Sequence, residues 1–258
     1  MSGLKTENLS VQFGAVKPVD DVSVEIAAGR LTSIIGPNGA GKTSFFNLLT
    51  GLYQPTRGKV FFDGQDVTHM PVHQKVRSGL TRTFQILNVF DTLTVAENIR
   101  AAVQRRHGRS AYMFCAPDRH GPVEDEVDAI IERVRLKEKR NIRANDLSHG
   151  HRRHLEIGLS LATEPRTLLL DEPMSGLGMY ESSVMGEFVR ELAQDLTVVL
   201  VEHHMSVVLS ISDTILVLSQ GRLLASGTPA EIQANPQVQA AYLGTGRYDL
   251  PQEGAGHA

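Results

Sequence analysis

The sequence predicts an α/β fold: a parallel sheet covered on both faces and interrupted by a helical insert. Three observations predict it. The runs TLLLD (167–171) and TVVLVE (197–202) are apolar on both faces until they reach a carboxylate, as strands buried under helices on both sides are. The run LTSIIG (31–36) breaks into a Gly-rich loop, and SFFNLLTG (44–51) follows at helical spacing, ending on a glycine suited to a helix C-terminus. Between residues 86 and 160 the pattern is mostly helical, after which strands and helices alternate again.

The remaining elements follow in order. The first sixty or so residues read as short strands and turns, an N-terminal antiparallel β region, with Asp63-Gly64 as the turn of a hairpin in KVFFDGQDV (59–67). Thr94 and Glu97 fit a capping box that starts a helix. Residues 107–122 are irregular and read as a loop, and VEDEVDAIIERVRL (123–136) as an amphipathic helix with acids in its first turn. A helix is expected from about 181 to 193, then TVVLVE, another helix, and the strand TILVL (214–218). The domain reading is therefore a core from 1–85 and 161–245, a helical subdomain from 86–160, and a loose tail from 246–258.

Composition narrows the function. The chain has 258 residues, ordinary globular proportions and a net charge of −3, which gives no support for a nucleic-acid partner. Cys115 is the only cysteine, so an internal disulfide is excluded and a reducing compartment is expected. The opening MSGLKTENLS lacks the layout of a signal peptide, and no apolar run reaches the roughly 18 to 20 residues that span a bilayer. The expectation is a soluble cytoplasmic protein whose membrane role, if any, comes through a partner.

Two motifs carry chemistry. GPNGAGKT (36–43) matches the phosphate-binding loop pattern between a strand and a helix. Gly36, Pro37, Asn38, Gly39, Ala40 and Gly41 form the loop, whose glycines let the backbone N–H groups (Pro37 has none) curl around phosphate oxygens, and the helix entered through Lys42, Thr43 and Ser44 adds its positive end. Lys42 reaches the β- and γ-phosphates, and the Thr43 hydroxyl binds Mg²⁺. In TLLLDEP (167–173) the carboxylates must emerge at the strand's C-terminal end, where ligands of open α/β sheets bind. Asp171 suits an Mg²⁺ ligand, and Glu172 the group that polarises an attacking water.

With LSHG just upstream of the second motif, the chain resembles the ATP-binding subunits of ABC transporters over nearly its whole length. The resemblance implies a P-loop NTPase core with a RecA-like mixed sheet, and ATP and Mg²⁺ as cofactors. Leu147-Ser148-His149-Gly150-His151 stands where the family has LSGGQ, so that Ser148, His149 and Gly150 would meet the γ-phosphate held by an opposite subunit. The resemblance further matches Gln85 to the family's glutamine, at the metal and the water, His203 to its γ-phosphate-sensing histidine, and Phe13 to the aromatic that stacks on adenine. His204 competes with His203 and replaces the family's aspartate. The family's SALD loop is Ser175-Gly176-Leu177-Gly178, without the aspartate that links the two sites.

GPNGAGKTSFFNLLTG (36–51), RTFQILNVFDTLTVAENI (82–99), LEIG (155–158) and VQAAYLG (238–244) look like the ATPases of branched-chain amino acid uptake, while LSHG is reminiscent of the urea and short-amide systems. The implied protein hydrolyses ATP as a head-to-tail dimer, homo- or heterodimeric, under membrane permease subunits at the cytoplasmic face of the inner membrane, with a solute-binding protein engaged indirectly. A lipid- or lipopolysaccharide-export ATPase, which RTFQ argues against, and a non-transport ABC ATPase are the competing readings. A permease helix is expected in the groove near Gln85, and the basic run RLKEKRNIR (135–143) is either a solvated face or a contact with lipid head groups. His149, His151 and His154 raise a metal reading, but they lack convergent cysteines or carboxylates and His149 is expected in the loop before the helix. An imidazole at 149 beside a triphosphate would make activity sensitive to pH.

Overall fold

Strand alternation opens the chain: β1 (Leu4–Phe13) and β2 (Val16–Ile26) pair antiparallel and bury Leu4, Leu9, Val11, Val22 and Ile26. In the computed structural model, which describes residues 3–83, 89–107 and 121–243, β3 (Leu31–Ile35) then leads into α1 (Lys42–Thr50). The hairpin of β4 (Arg57–Phe62) and β5 (Gln65–Asp66) turns at Asp63 and Gly64, both at positive φ, as its two-residue turn requires. Next come α2 (Val72–Arg77), β6 (Leu80–Arg82), α3 (Val95–Arg106), α4 (Pro122–Arg133) and α5 (His149–Leu161). The chain continues through β7 (Thr167–Asp171), α6 (Met179–Leu192), β8 (Thr197–Val201), α7 (Met205–Ile211) and β9 (Thr214–Ser219), then β10 (Arg222–Gly227), α8 (Pro229–Ala234) and α9 (Pro236–Leu243).

Two sheets result, an antiparallel one ordered β2-β1-β4-β5 and a six-stranded one ordered β10-β9-β3-β8-β7-β6. Every pairing of the second is parallel except β9 with β10, so the sheet is mixed, as expected. The doubly apolar strands now have their reason. Leu168, Leu170, Val198 and Leu200 face the cluster built with the insert and α6, while Leu169, Val199 and Val201 face the one that holds Phe45, Phe46 and the antiparallel sheet.

In the insert, Thr94 and Glu97 form the expected capping box at the start of α3. Val95, Ile99 and Val103 pack with Val127 and Ile131 of α4 and Leu155 of α5, in a cluster continuous with that sheet face. The helix expected from about 181 starts instead at Met179, because the Glu181 carboxylate accepts the Gly178 N–H at 3.1 Å and closes the first turn earlier. Among the described residues no helix is long and apolar enough to cross a membrane. Cys115, most of the loop 107–122 and the tail 246–258 lie outside the described residues.

Candidate active site

Register decides what meets here. Ile34 pairs with Val201 and Val201 with Asp171, so the C-terminal ends of β3, β8 and β7 are level. The loops that follow, beginning at Gly36, Glu202 and Glu172, therefore leave one edge of the sheet side by side.

Gly41, at φ 97, is the left-handed residue that turns the loop into α1, and a Cβ there would lie 2.1 Å from the Pro18 carbonyl oxygen. A Cβ on Gly36 would lie 2.2 Å from the Leu218 carbonyl oxygen, so both ends of the loop are pressed against backbone. The N-terminus of α1 has no side-chain cap and no acid in its first turn, which leaves its N–H groups for an anion. Lys42 is buried and donates to the carbonyls of Gly36 at 2.7 Å and Pro37 at 3.2 Å, within its own loop. Burial holds its pKa below the usual lysine value, and the Glu172 carboxylate opposes that. Pro37, Asn38, Gly39 and Ala40 form the loop crest, and Thr43 and Ser44 the first turn of α1, with Thr43 exposed. An uncapped helix end beside a buried ammonium is an arrangement that suits phosphate.

Asp171 does not stand free at the end of β7. Arg82 donates to its Oδ2 at 2.6 Å and to Asn47 Oδ1 at 2.5 Å, and the guanidinium lies 4.8 Å from the Phe46 ring centroid. Both side chains of the pair are nearly excluded from solvent. The carboxylate keeps a second oxygen with which to meet a cation. Arg82 escaped the sequence reading, although the signal was present: an arginine inside a buried edge strand needs an acid, and its partner Leu169 puts it on the same face as Asp171. Glu172 follows at φ 47, with its N–H on the Val201 carbonyl at 2.9 Å. Thr83 accepts the Asp171 N–H at 3.4 Å, and Gln85, two residues further, lies outside the described residues.

After β8, Glu202 is fully buried, accepting the Met174 N–H on Oε1 at 2.8 Å and the His203 N–H on Oε2 at 3.0 Å. His203 and His204, both partly exposed, lie ring against ring, tilted by 33° with centroids 4.4 Å apart. Glu202 was read only as the end of a strand.

The signature segment departs from expectation at one point. Ser148 is the N-cap of α5, so His149 is the first residue of that helix rather than part of the preceding loop. The three imidazoles then separate. His149 Nε2–H donates to the Ser175 carbonyl at 3.1 Å, His151 Nδ1 lies 2.8 Å from the Ser148 hydroxyl, and His154 Nδ1–H donates to the Val134 carbonyl at 3.0 Å. They form no metal cluster. Gly150 faces Leu177, whose side chain would lie 3.8 Å from a Cβ placed there. Phe13, half exposed at the end of β1, meets the unforeseen Tyr53 edge to face at 5.2 Å. The basic run is largely a paired face: Arg135 with Glu191, Lys137 with Glu132, Arg140 with Asp128 and Glu124.

A family model described as ABC transporter matches residues 19–175, more than half of the chain. The chain belongs to the ABC transporter ATP-binding family. A second model, described as branched-chain amino acid ATP-binding cassette transporter, matches residues 222–248 of this cassette. Similar curated proteins include the high-affinity branched-chain amino acid transport ATP-binding proteins BraF of Pseudomonas aeruginosa and LivG of Escherichia coli. Each is 39% identical, covering 93% of this cassette and 97% of the relative. MJ1267, an ATP-binding cassette of an ABC transporter solved in its ADP conformation, superposes with a TM-score of 0.83 at 29% identity, over 95% of this chain and 99% of that one. This ABC ATPase is thus the ATP-binding subunit of a transporter, and the expected fold stands.

Proposed function

We propose that this cassette hydrolyses ATP to drive uptake of branched-chain amino acids, working as a dimer beneath membrane permease subunits at the cytoplasmic face of the inner membrane. The register that levels Ile34, Val201 and Asp171 carries the reading, since it gathers phosphate loop, carboxylates and switch histidine at one edge. The 222–248 match and the names of the relatives support the solute class.

In this reading Lys42 leaves the carbonyls of Gly36 and Pro37 for the β- and γ-phosphates, an exchange of neutral acceptors for anionic ones. The N–H groups from Gly36 to Ser44 cradle the same oxygens, and Phe13 stacks on adenine with Tyr53 bracing it. Thr43, Asp171 and Gln85 would hold Mg²⁺, which would screen charge on the phosphates. Glu172 accepts a hydrogen bond from the attacking water, and His203 donates one to the γ-phosphate. Ser148, His149 and Gly150 act across the dimer, on the ATP of the second subunit, so neither chain completes a site alone. Residues 86–160 form the signature subdomain between the core segments 1–85 and 161–245. The crease lined by Thr83, Arg153, Glu156 and Pro173, which begins two residues before Gln85 in the sequence, receives a permease helix.

The test is reconstitution with the cognate permeases and binding protein in liposomes. Leucine, isoleucine or valine is expected to stimulate ATP hydrolysis, and Glu172→Gln to bind ATP without turnover. Stimulation by urea or a short amide instead moves the solute class, and hydrolysis unchanged by Glu172→Gln removes that residue from its role.

A further inference from the structure

Among the described residues, one group of three metal-binding side chains has its ligand atoms within 4.8 Å of one another: Glu202, His203 and His204. This is not the histidine cluster that the sequence drew attention to. His204 Nδ1 lies 3.4 Å from Glu202 Oε2, and His203 Nδ1 lies 3.7 Å from the same oxygen. A tetrahedral zinc site with bonds of about 2.0–2.1 Å has ligand-to-ligand edges of about 3.3–3.4 Å. Two edges of such a tetrahedron therefore stand almost at their final length.

Two further features point to a cation. His204 Nδ1 is buried, has no hydrogen-bond partner and lies 3.4 Å from Glu202 Oε2, longer than a good hydrogen bond, a gap that a cation held by both atoms would fill. Glu202 is fully buried, and among the described residues the only basic side chains paired with it are these two imidazoles. Its carboxylate is already oriented by the N–H groups of Met174 and His203, as a metal ligand is when its surroundings hold it. Both imidazoles are partly exposed, which gives an ion a way in.

We propose that Glu202, His203 and His204 bind one Zn²⁺ through a carboxylate oxygen and two Nδ1 atoms, with solvent in the fourth position. Binding draws His203 onto the metal and holds it from the γ-phosphate, so zinc inhibits hydrolysis reversibly; this consequence rests on the role given to His203 above.

The test titrates the nucleotide-free, full-length chain with Zn²⁺ by calorimetry and follows Co²⁺ as a visible probe of four-coordinate geometry. One equivalent is expected to bind, with intense cobalt d–d bands. His204→Asn, which places a good N-cap residue ahead of α7 and whose folding is checked by its melting temperature, is expected to weaken zinc binding at least about tenfold and to abolish the bands. A His149→Ala/His151→Ala variant keeps both. Absent binding, equal affinity in His204→Asn, or loss of the site in the double variant overturns the proposal. Zinc that binds as described yet leaves ATP hydrolysis unaltered supports the site and instead overturns the assignment of His203 to the γ-phosphate.

Discussion

Arg82 Nη2 donates to Asp171 Oδ2 over 2.6 Å between two side chains that are 7% and 2% exposed. The edge strand β6 and the C-terminal end of β7 are thereby tied by a buried ion pair, with Asn47 of α1 as a third point of attachment. Removing one partner of such a pair leaves an uncompensated charge in the interior. Arg82→Met is expected to cost about 3–5 kcal/mol in denaturant unfolding. It should also weaken Mg²⁺-dependent nucleotide binding more than binding without Mg²⁺, because Asp171 loses its support. Unchanged stability would mean that Asp171 finds another partner.

Phe13 and Tyr53 present a half-exposed aromatic pair beside the hairpin that abuts the phosphate loop. Stacking of a base on an aromatic ring is worth about 1–3 kcal/mol. Phe13→Ala is therefore expected to weaken ATP binding about 5- to 150-fold in equilibrium titration. Tyr53→Ala should have a smaller effect, since it removes the brace and leaves the platform. Equal losses for ATP and for bare triphosphate would detach Phe13 from the adenine.

His154 stacks on Phe188 at 4.6 Å, and burial above all pushes its pKa down to about 4 from 6.5. The folded chain thus refuses a proton that the unfolded chain accepts. Stability from this group is complete above pH 6.5 and is lost as pH falls from 6.5 towards about 4, by at most about 3 kcal/mol. Unfolding curves at pH 7 and pH 5 are expected to separate more for the native chain than for His154→Gln. Equal separation would locate the acid sensitivity elsewhere.

His149 ties the signature helix to the loop that follows β7, through Ser175. Because Nε2–H donates in either protonation state, this tie survives a change of charge on the ring. His149→Gly should free the loop and lower kcat several-fold in the assembled transporter, while ATP affinity of the isolated subunit stays constant. If the pH–rate profiles of the two proteins superpose after scaling, the imidazole acts by position and its charge contributes nothing.

Much of this was legible in the sequence. The doubly apolar runs TLLLD and TVVLVE, the capping box at Thr94, the Asp63-Gly64 turn and the phosphate loop are local, because each depends on neighbours a few residues away. The chain alone thereby determined the core strands, the principal helices and the loops that carry chemistry, while α2, β10, α8 and α9 went unread. Tertiary structure decided which side chains touch. Arg82 meets Asp171 across 89 positions of sequence, Phe13 meets Tyr53 from the far side of the phosphate-loop helix in sequence, and Glu202, next to His203 and His204 in the chain, is buried where the Met174 N–H reaches it. The three histidines of the signature, adjacent in sequence, went to three separate partners, while a histidine pair that had drawn no interest as a metal site met a buried carboxylate. Such pairings are set by strand register and by the charge that burial leaves unpaid, and neither quantity exists until the sheet has closed.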